Sequence, residues 1–371
     1  MSGSRVLVAS HYNASRFIYD TGVFETVWGF ANCDAVDILA PGRPDTPWQA
    51  RVDGLQKRLN RISGLGADYR IAPVDVAKDY ELFVYVAGVL PDLLDIARIR
   101  HWRRRARKSV CVVLKAYKAE LERFQRLLRP LANFDLIYSP CVDSLDAFQS
   151  MVQSPVRYLP LGAPTLDLMP SPNPTERVID VYAMGRRLPA LHHQMVMGMI
   201  SGRINYLYDS FDNSVPFIKD FNGHCLMKAQ LLKRTKFFPN FGIQAFPSSE
   251  TSLAGTEDTI TYRCYEGAAA GTIMFGTPPT SSDYPIMFDW EDAIIFADTE
   301  NTDYIEFLRG LEIQATRMET ARRRNVSNSL LRHDLAYRFE QIITDAGIAP
   351  HEKLLARKQR LKDAAAQFTT V

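Results

Sequence analysis

Two successive series of short apolar runs, each run followed by a longer amphipathic stretch, constrain this chain more than any other feature. The first series is RVLVAS at 5–10, AVDILA at 35–40, ELFVYVAG at 81–88, SVCVVLKA at 109–116, FDLIYSP at 134–140 and VRYLPLG at 156–162. Runs this short and this continuously apolar suit parallel strands covered by helices on both faces. Helical patterns run from Leu90 to Arg107 and from Tyr117 to Ala132. The stretch PLGAPTLDLMPSPNPTER at 160–177 then carries five prolines, which continue neither a helix nor a central strand. Beyond it the rhythm restarts with VIDVYAMG at 178–185, RINYLYDS at 203–210, TKFFPNF at 235–241, GTIMFG at 271–276 and DAIIFAD at 292–298. The expectation is an α/β chain of two Rossmann-like, doubly wound domains separated by a cleft. Its boundaries are a first domain at 1–163, a linker at 164–177, a second domain at 178–346, and an amphipathic helix within 347–371 that can pack on the first domain.

Length agrees: 371 residues suit two cores at roughly 100–200 residues each. With 46% apolar and 23% charged residues the composition is that of a folded chain. A formal net charge of +2 gives the molecule as a whole no pull toward nucleic acid or anionic lipid. Five scattered cysteines without a CxxC pair form neither a disulfide framework nor a zinc site, and imply a reducing compartment. The start, MSGSRVLVASHYN, reads as a first strand rather than a signal peptide, and no run approaches the roughly 18 apolar residues of a membrane span. A cytoplasmic location is expected.

The chemistry concentrates in Thr259-Ile-Thr-Tyr-Arg-Cys-Tyr-Glu-Gly-Ala-Ala-Ala-Gly-Thr-Ile-Met-Phe-Gly276. Thr259 or Thr261 can cap a helix, Gly267 to Ala270 let it lie close to a sheet, and Gly271 can end it before a strand. Arg263 and Glu266 are then neighbours near the helix start. A carboxylate there is stabilised by the helix dipole and can accept two hydrogen bonds from a ribose diol. The competing interpretation of the same spacing is an exposed ion pair within the helix.

This segment resembles the donor-site helix of retaining GT-B glycosyltransferases, those of family four and the CgeB-like group, which carry R-x-[FY]-E-[AG]-x-A-x-G before a strand. Arg263, Tyr265, Glu266, Gly267, Ala269 and Gly271 match. The resemblance implies that Glu266 holds the nucleotide ribose, with Arg263 and Tyr265 beside it. A second acid eight positions earlier in that pattern, a glutamate, corresponds to Asp258, next to Glu257. Asp180-Val-Tyr-Ala-Met-Gly-Arg-Arg187 likewise resembles the strand-Gly-Arg opening of the C-terminal domain. There Gly185, Arg186 and Arg187 would meet the donor diphosphate, a geometry that suits an arginine fork. Lys228 and Lys233 are candidates for an accompanying lysine.

His11, directly after the first strand, stands where open α/β sheets bind ligands, and is either a site residue or a structural one. No D-x-D pair occurs, and neither GxGxxG nor GxxxxGK[ST], so metal-clamped, dehydrogenase and P-loop chemistries lack their motifs. The basic run RIRHWRRRARK, Arg98 to Lys108 around Trp102, is either the solvated face of a helix or a peripheral membrane contact at the inner face of the membrane. The expected function is transfer of a sugar from a UDP- or GDP-sugar to a glycan, lipid-linked or protein acceptor, with Arg186, Arg187, Asp258 and His11 as catalytic candidates. No metal or other cofactor and no nucleic-acid partner are expected. The alternative is a degenerate member of the same fold that binds nucleotide sugar or a partner protein without turnover.

Overall fold

A computed structural model describes residues 3–43, 70–171, 176–209, 217–246, 257–300 and 302–368; residues 172–175 of the expected linker lie outside them. The chain divides into two compact units. The first comprises Met1–Pro160, Phe217–Lys219 and Arg338–Leu355, the second Leu161–Pro216, Asp220–Tyr337 and Ala356–Val371.

In the first unit, β1 (Val6–Ser10), β2 (Val36–Leu39), β4 (Tyr80–Ala87), β6 (Ala106–Val113), β7 (Leu136–Ser139) and β8 (Val156–Tyr158) form a parallel sheet in the order β2-β1-β4-β6-β7-β8. Every side chain from Leu82 to Ala87 is fully buried, as a central strand covered on both faces requires. A two-residue pairing of β3 (Val74–Asp75) with β5 (Ile99–Arg100) stands apart from this sheet.

That pairing displaces the helix expected over Leu90 to Arg107. Residues Leu90–Arg98 form 3-10 turns instead, His101 adopts a left-handed φ of 66°, and a single helical turn, Trp102–Arg105, leads into β6. The cause is Trp102. Its ring is 6% exposed and stacks between Phe83, at 4.6 Å, and Phe134, at 4.8 Å. Burying that aromatic face outweighs helix continuity. The cations stay outside, Arg100 on Asp75, Arg103 on Asp135 and Arg105 on Asp79. The tryptophan is therefore a core residue and not a lipid anchor, which removes the basis for a membrane contact through 98–108. No helix among the described residues is long and apolar enough to cross a membrane.

In the second unit, β9 (Ile179–Ala183), β10 (Tyr206–Tyr208), β11 (Thr235–Pro239), β12 (Ile273–Gly276) and β13 (Ile295–Phe296) are again parallel, in the order β10-β9-β11-β12-β13. The Tyr262–Ala269 helix lies tight on this sheet because Gly267 has no side chain: a Cβ there would stand 2.8 Å from both Met274 Sδ and Phe238 Cδ1. Met274 can yield, whereas the buried Phe238 ring cannot. Gly267→Ala is expected to cost about 1–3 kcal/mol as overpacking, read as a lower denaturant midpoint; an unchanged midpoint would show that the helix can lift.

Helices Ala315–Arg332 and Leu335–Asp345 follow, and Glu352–Ala366 forms the expected amphipathic helix of the tail. In the first unit Arg5 donates to the Ala349 carbonyl at 2.7 Å and Lys353 to that of Asp34 at 3.2 Å. In the second, Arg357 forks onto Asp334 at 2.7 and 2.9 Å.

Candidate functional site

In the second sheet the chain order reverses between β9 and β11, so the loops leaving their carboxyl ends part there and open a place for ligand. After β9 comes Gly185, at φ 69°, a left-handed turn suited to glycine. Asp209, directly after β10, fixes that turn. Its Oδ2 accepts the Gly185 N–H at 2.9 Å, its Oδ1 accepts the Tyr182 hydroxyl at 3.0 Å, and its carbonyl accepts the Arg187 guanidinium. Arg187 also lies 5.3 Å over the Tyr208 ring. Arg187 thus serves the turn on the β10 side. Arg186 points elsewhere: its guanidinium stands 5.2 Å over Phe246, and Arg263 approaches the same ring at 6.0 Å while donating to the Arg186 carbonyl at 3.3 Å. Two guanidinium groups from different elements therefore share one aromatic ring at the switch point.

The Tyr262–Ala269 helix starts at this edge, Thr261 being its extended N-cap residue. Glu266 is 3% exposed and accepts a hydrogen bond from Lys228, also 3% exposed, on the Phe221–Lys233 helix. The carboxylate expected beside Arg263 thus has a buried ammonium partner from another helix. Lys233 is the last residue of that helix, more than a turn beyond Lys228. His224, one turn before Lys228, has its pKa pushed below the usual histidine value by burial first and by the Lys228 charge second, which favours the neutral ring. Burial, reinforced by Asp209, pushes the Tyr182 hydroxyl far up and keeps it a donor.

The remaining candidates are placed differently. Tyr265 is 1% exposed, packed edge-on against Phe288 at 5.4 Å and His333 at 5.1 Å, so it anchors the helix in the core. Asp258 is buried, and its carboxylate accepts the backbone N–H groups of Thr259, Thr280 and Ile243 at 2.9, 3.1 and 3.3 Å. It ties the loops after β11 and β12 together.

His11 belongs to the first unit, at the corresponding reversal between β1 and β4. It is fully buried, with Nε2 3.2 Å from both Asp20 and Asp92, and its Nδ1 has no hydrogen-bond partner among the described residues. Asp92 further accepts the Gly88 and Val89 N–H groups at 2.8 Å and pairs with Arg70. Burial acts to raise the Asp92 carboxyl, but His11, Arg70 and the Val89 N–H together hold it below the usual carboxylate value. A carboxyl depressed in the folded state stabilises above its unfolded pKa, about 3.9, and that contribution is lost as pH falls through the lower folded value. Asp92→Asn is expected to flatten the fall in stability as pH drops below the unfolded value of about 3.9. Equal slopes in denaturation series of parent and variant would exclude Asp92 as a source of acid sensitivity.

Sequence inspection missed Asp209, Tyr182 and Phe246. The first had a signal, an acid directly after a strand at the carboxyl edge. Phe246 had none, because its role depends on a loop whose path is not local.

Among the described residues no group of three or more His, Cys, Asp or Glu side chains is arranged to hold a metal ion. A sequence model of a family described as glycosyl transferase-like matches residues 200–344. No curated protein matches the sequence significantly. Among solved structures, an alpha-glucosyltransferase in complex with UDP-glucose and DNA containing an abasic site is similar at a TM-score of 0.55 and 8% identity, over 93% of this chain and 100% of that one. An alpha-glucosyltransferase in complex with UDP and a 13-mer DNA containing a central A:G mismatch is similar at 0.52 and 10%, over 92% and 99%. At such identities the likeness is one of fold. The chain has the GT-B fold, two Rossmann-like units each built on a parallel sheet, with a glycosyl transferase-like stretch that falls mostly in the second.

Proposed function

We propose that the protein is a glycosyltransferase that binds a nucleotide-sugar donor, a UDP- or GDP-sugar, at the carboxyl edge of β9 and β11 and passes its sugar to an acceptor. The observation that carries this is the convergence of Arg186 and Arg263 on Phe246, beside the Glu266–Lys228 pair, at the switch point of a glycosyl transferase-like stretch. Transfer breaks the bond between the anomeric carbon and a diphosphate oxygen, forms one from the acceptor nucleophile to that carbon, and leaves on the diphosphate a negative charge that can take up the acceptor's proton. A guanidinium held beforehand by an aromatic ring stabilises that charge without reorganising. Glu266 has lone pairs beyond the one Lys228 occupies and can accept a ribose hydroxyl. Transfer with retention and without a metal cofactor, and a hexose as the sugar, belong to the same proposal.

The test is nucleoside diphosphate release from a panel of UDP- and GDP-sugars. Turnover that tracks one donor supports transfer; saturable donor binding without release from any donor and acceptor pair favours the degenerate alternative, which the engagement of Asp258 by three backbone donors also fits. With cations supplied by arginine, turnover is expected to survive a chelator. Loss with EDTA that manganese restores would contradict a metal-free site.

A further inference from the structure

The opposite, amino-terminal edge of the second sheet carries a pocket of about 350 Å³, lined among others by Arg177, Lys236, Glu319, Arg322, Arg323 and Phe368. Arg177 precedes β9, Lys236 is the second residue of β11, and Arg322 and Arg323 come from the Ala315–Arg332 helix. Two of these cations are matched by carboxylates: Lys236 sits on Asp180 at 2.7 Å and Glu312 at 3.0 Å, and Arg323 on Glu319 at 2.9 Å. Arg177 and Arg322 are not, since among the described residues neither lies within ion-pair distance of a carboxylate.

Arg177 spends three N–H donors on the Leu232, Thr235 and Ala270 carbonyls, at 3.2, 2.6 and 2.8 Å, which leaves two of its five. Arg322 keeps a buried Nε without an acceptor among the described residues. Burial first, and the Arg322 charge second, pull Arg177 down to about 10 against the opposing charge of Glu319, and burial lowers Arg322 against Glu319 and Glu312. Glu319, also in the lining, offsets part of that repulsion without entering ion-pair distance of either arginine, and two partly buried cations with unused donors favour a further anion between them.

We propose that this pocket is an anion site taking a phosphomonoester group between Arg177 and Arg322. A dianion with three acceptor oxygens matches two guanidinium forks in charge and geometry. Phe368 gives the organic part of such a ligand an apolar wall. The site stands at the far end of the strands from the candidate donor site, and it does not rest on the transferase reading.

The test is isothermal titration of the full chain with inorganic phosphate and, separately, with a hexose 6-phosphate, carried out in an Arg186→Ala background so that the carboxyl-edge cations are reduced. Saturable binding is expected, at least tenfold weaker when Arg322→Met is added. Arg322→Lys, which keeps the charge and loses the fork, is expected to weaken it several-fold. Arg322→Met should also raise Tm without anion, by removing a partly buried charge that lies within ion-pair distance of no carboxylate among the described residues, and should abolish the rise in Tm that phosphate gives its parent. Absence of saturable binding to the Arg186→Ala chain, or binding equally strong with and without Arg322, would overturn the proposal.

Discussion

Replacing Arg186 by alanine is expected to lower turnover at saturating donor by about 10²–10³, the usual loss for one well-placed group that stabilises developing negative charge. Donor binding should weaken less, because the charge on the leaving diphosphate grows toward the transition state. Arg187→Ala is the internal comparison. Its guanidinium holds the Asp209 carbonyl and covers Tyr208, so its loss should loosen the turn at Gly185 and cost turnover less than loss of Arg186. Arg263→Ala removes the second cation on Phe246 and also the donor that fixes the Arg186 carbonyl, so with Arg186→Ala its effect should be less than additive. The measurement is single-donor kinetics of the three variants and the Arg186→Ala/Arg263→Ala double. Normal turnover in Arg186→Ala would remove this arginine from the chemistry, and a larger loss from Arg187 than from Arg186 would exchange their roles.

The fold was legible because its signal is local. Each apolar run that the sequence offers overlaps a strand, from Val6–Ser10 to Ile295–Phe296, since a parallel strand buried on both faces announces itself in its own residues. The failure over Leu90 to Arg107 has the opposite cause. The seat of Trp102 is made by Phe83 and Phe134, distant in sequence, and periodicity cannot report it. The site divides the same way. Gly185 and Arg186 follow a strand and Glu266 lies in a helix that precedes one, positions that the family resemblance singled out and spacing alone left open. What Glu266 pairs with lies 38 positions away on another helix, and the choice of Lys228 is made by how two helices pack on one sheet. Local spacing favoured Arg263 as the neighbour of Glu266, whereas Phe246 draws its guanidinium toward Arg186.

That buried pair changes what a substitution at Glu266 means. Glu266→Ala leaves the Lys228 ammonium in a place that is 3% exposed, and breaking a buried pair from one side costs about 3–5 kcal/mol. Lys228→Met should cost a similar amount by stranding the carboxylate. Loss of donor binding in either single variant therefore cannot be separated from loss of structure. The double variant Glu266→Leu/Lys228→Met separates them, because an apolar pair of similar volume often matches the stability of the ion pair it replaces. Denaturant unfolding of the four chains is expected to give two unstable singles and a double near the parent, a coupling well above that of independent sites. The stable double then reports on the ligand alone. If Glu266 accepts ribose hydroxyls, the double should bind donor about 10- to 150-fold more weakly than the parent, as loss of one charged hydrogen bond worth about 1.5–3 kcal/mol implies. Parental donor affinity in a stable double would make the pair a tie between two helices and would move the nucleotide elsewhere.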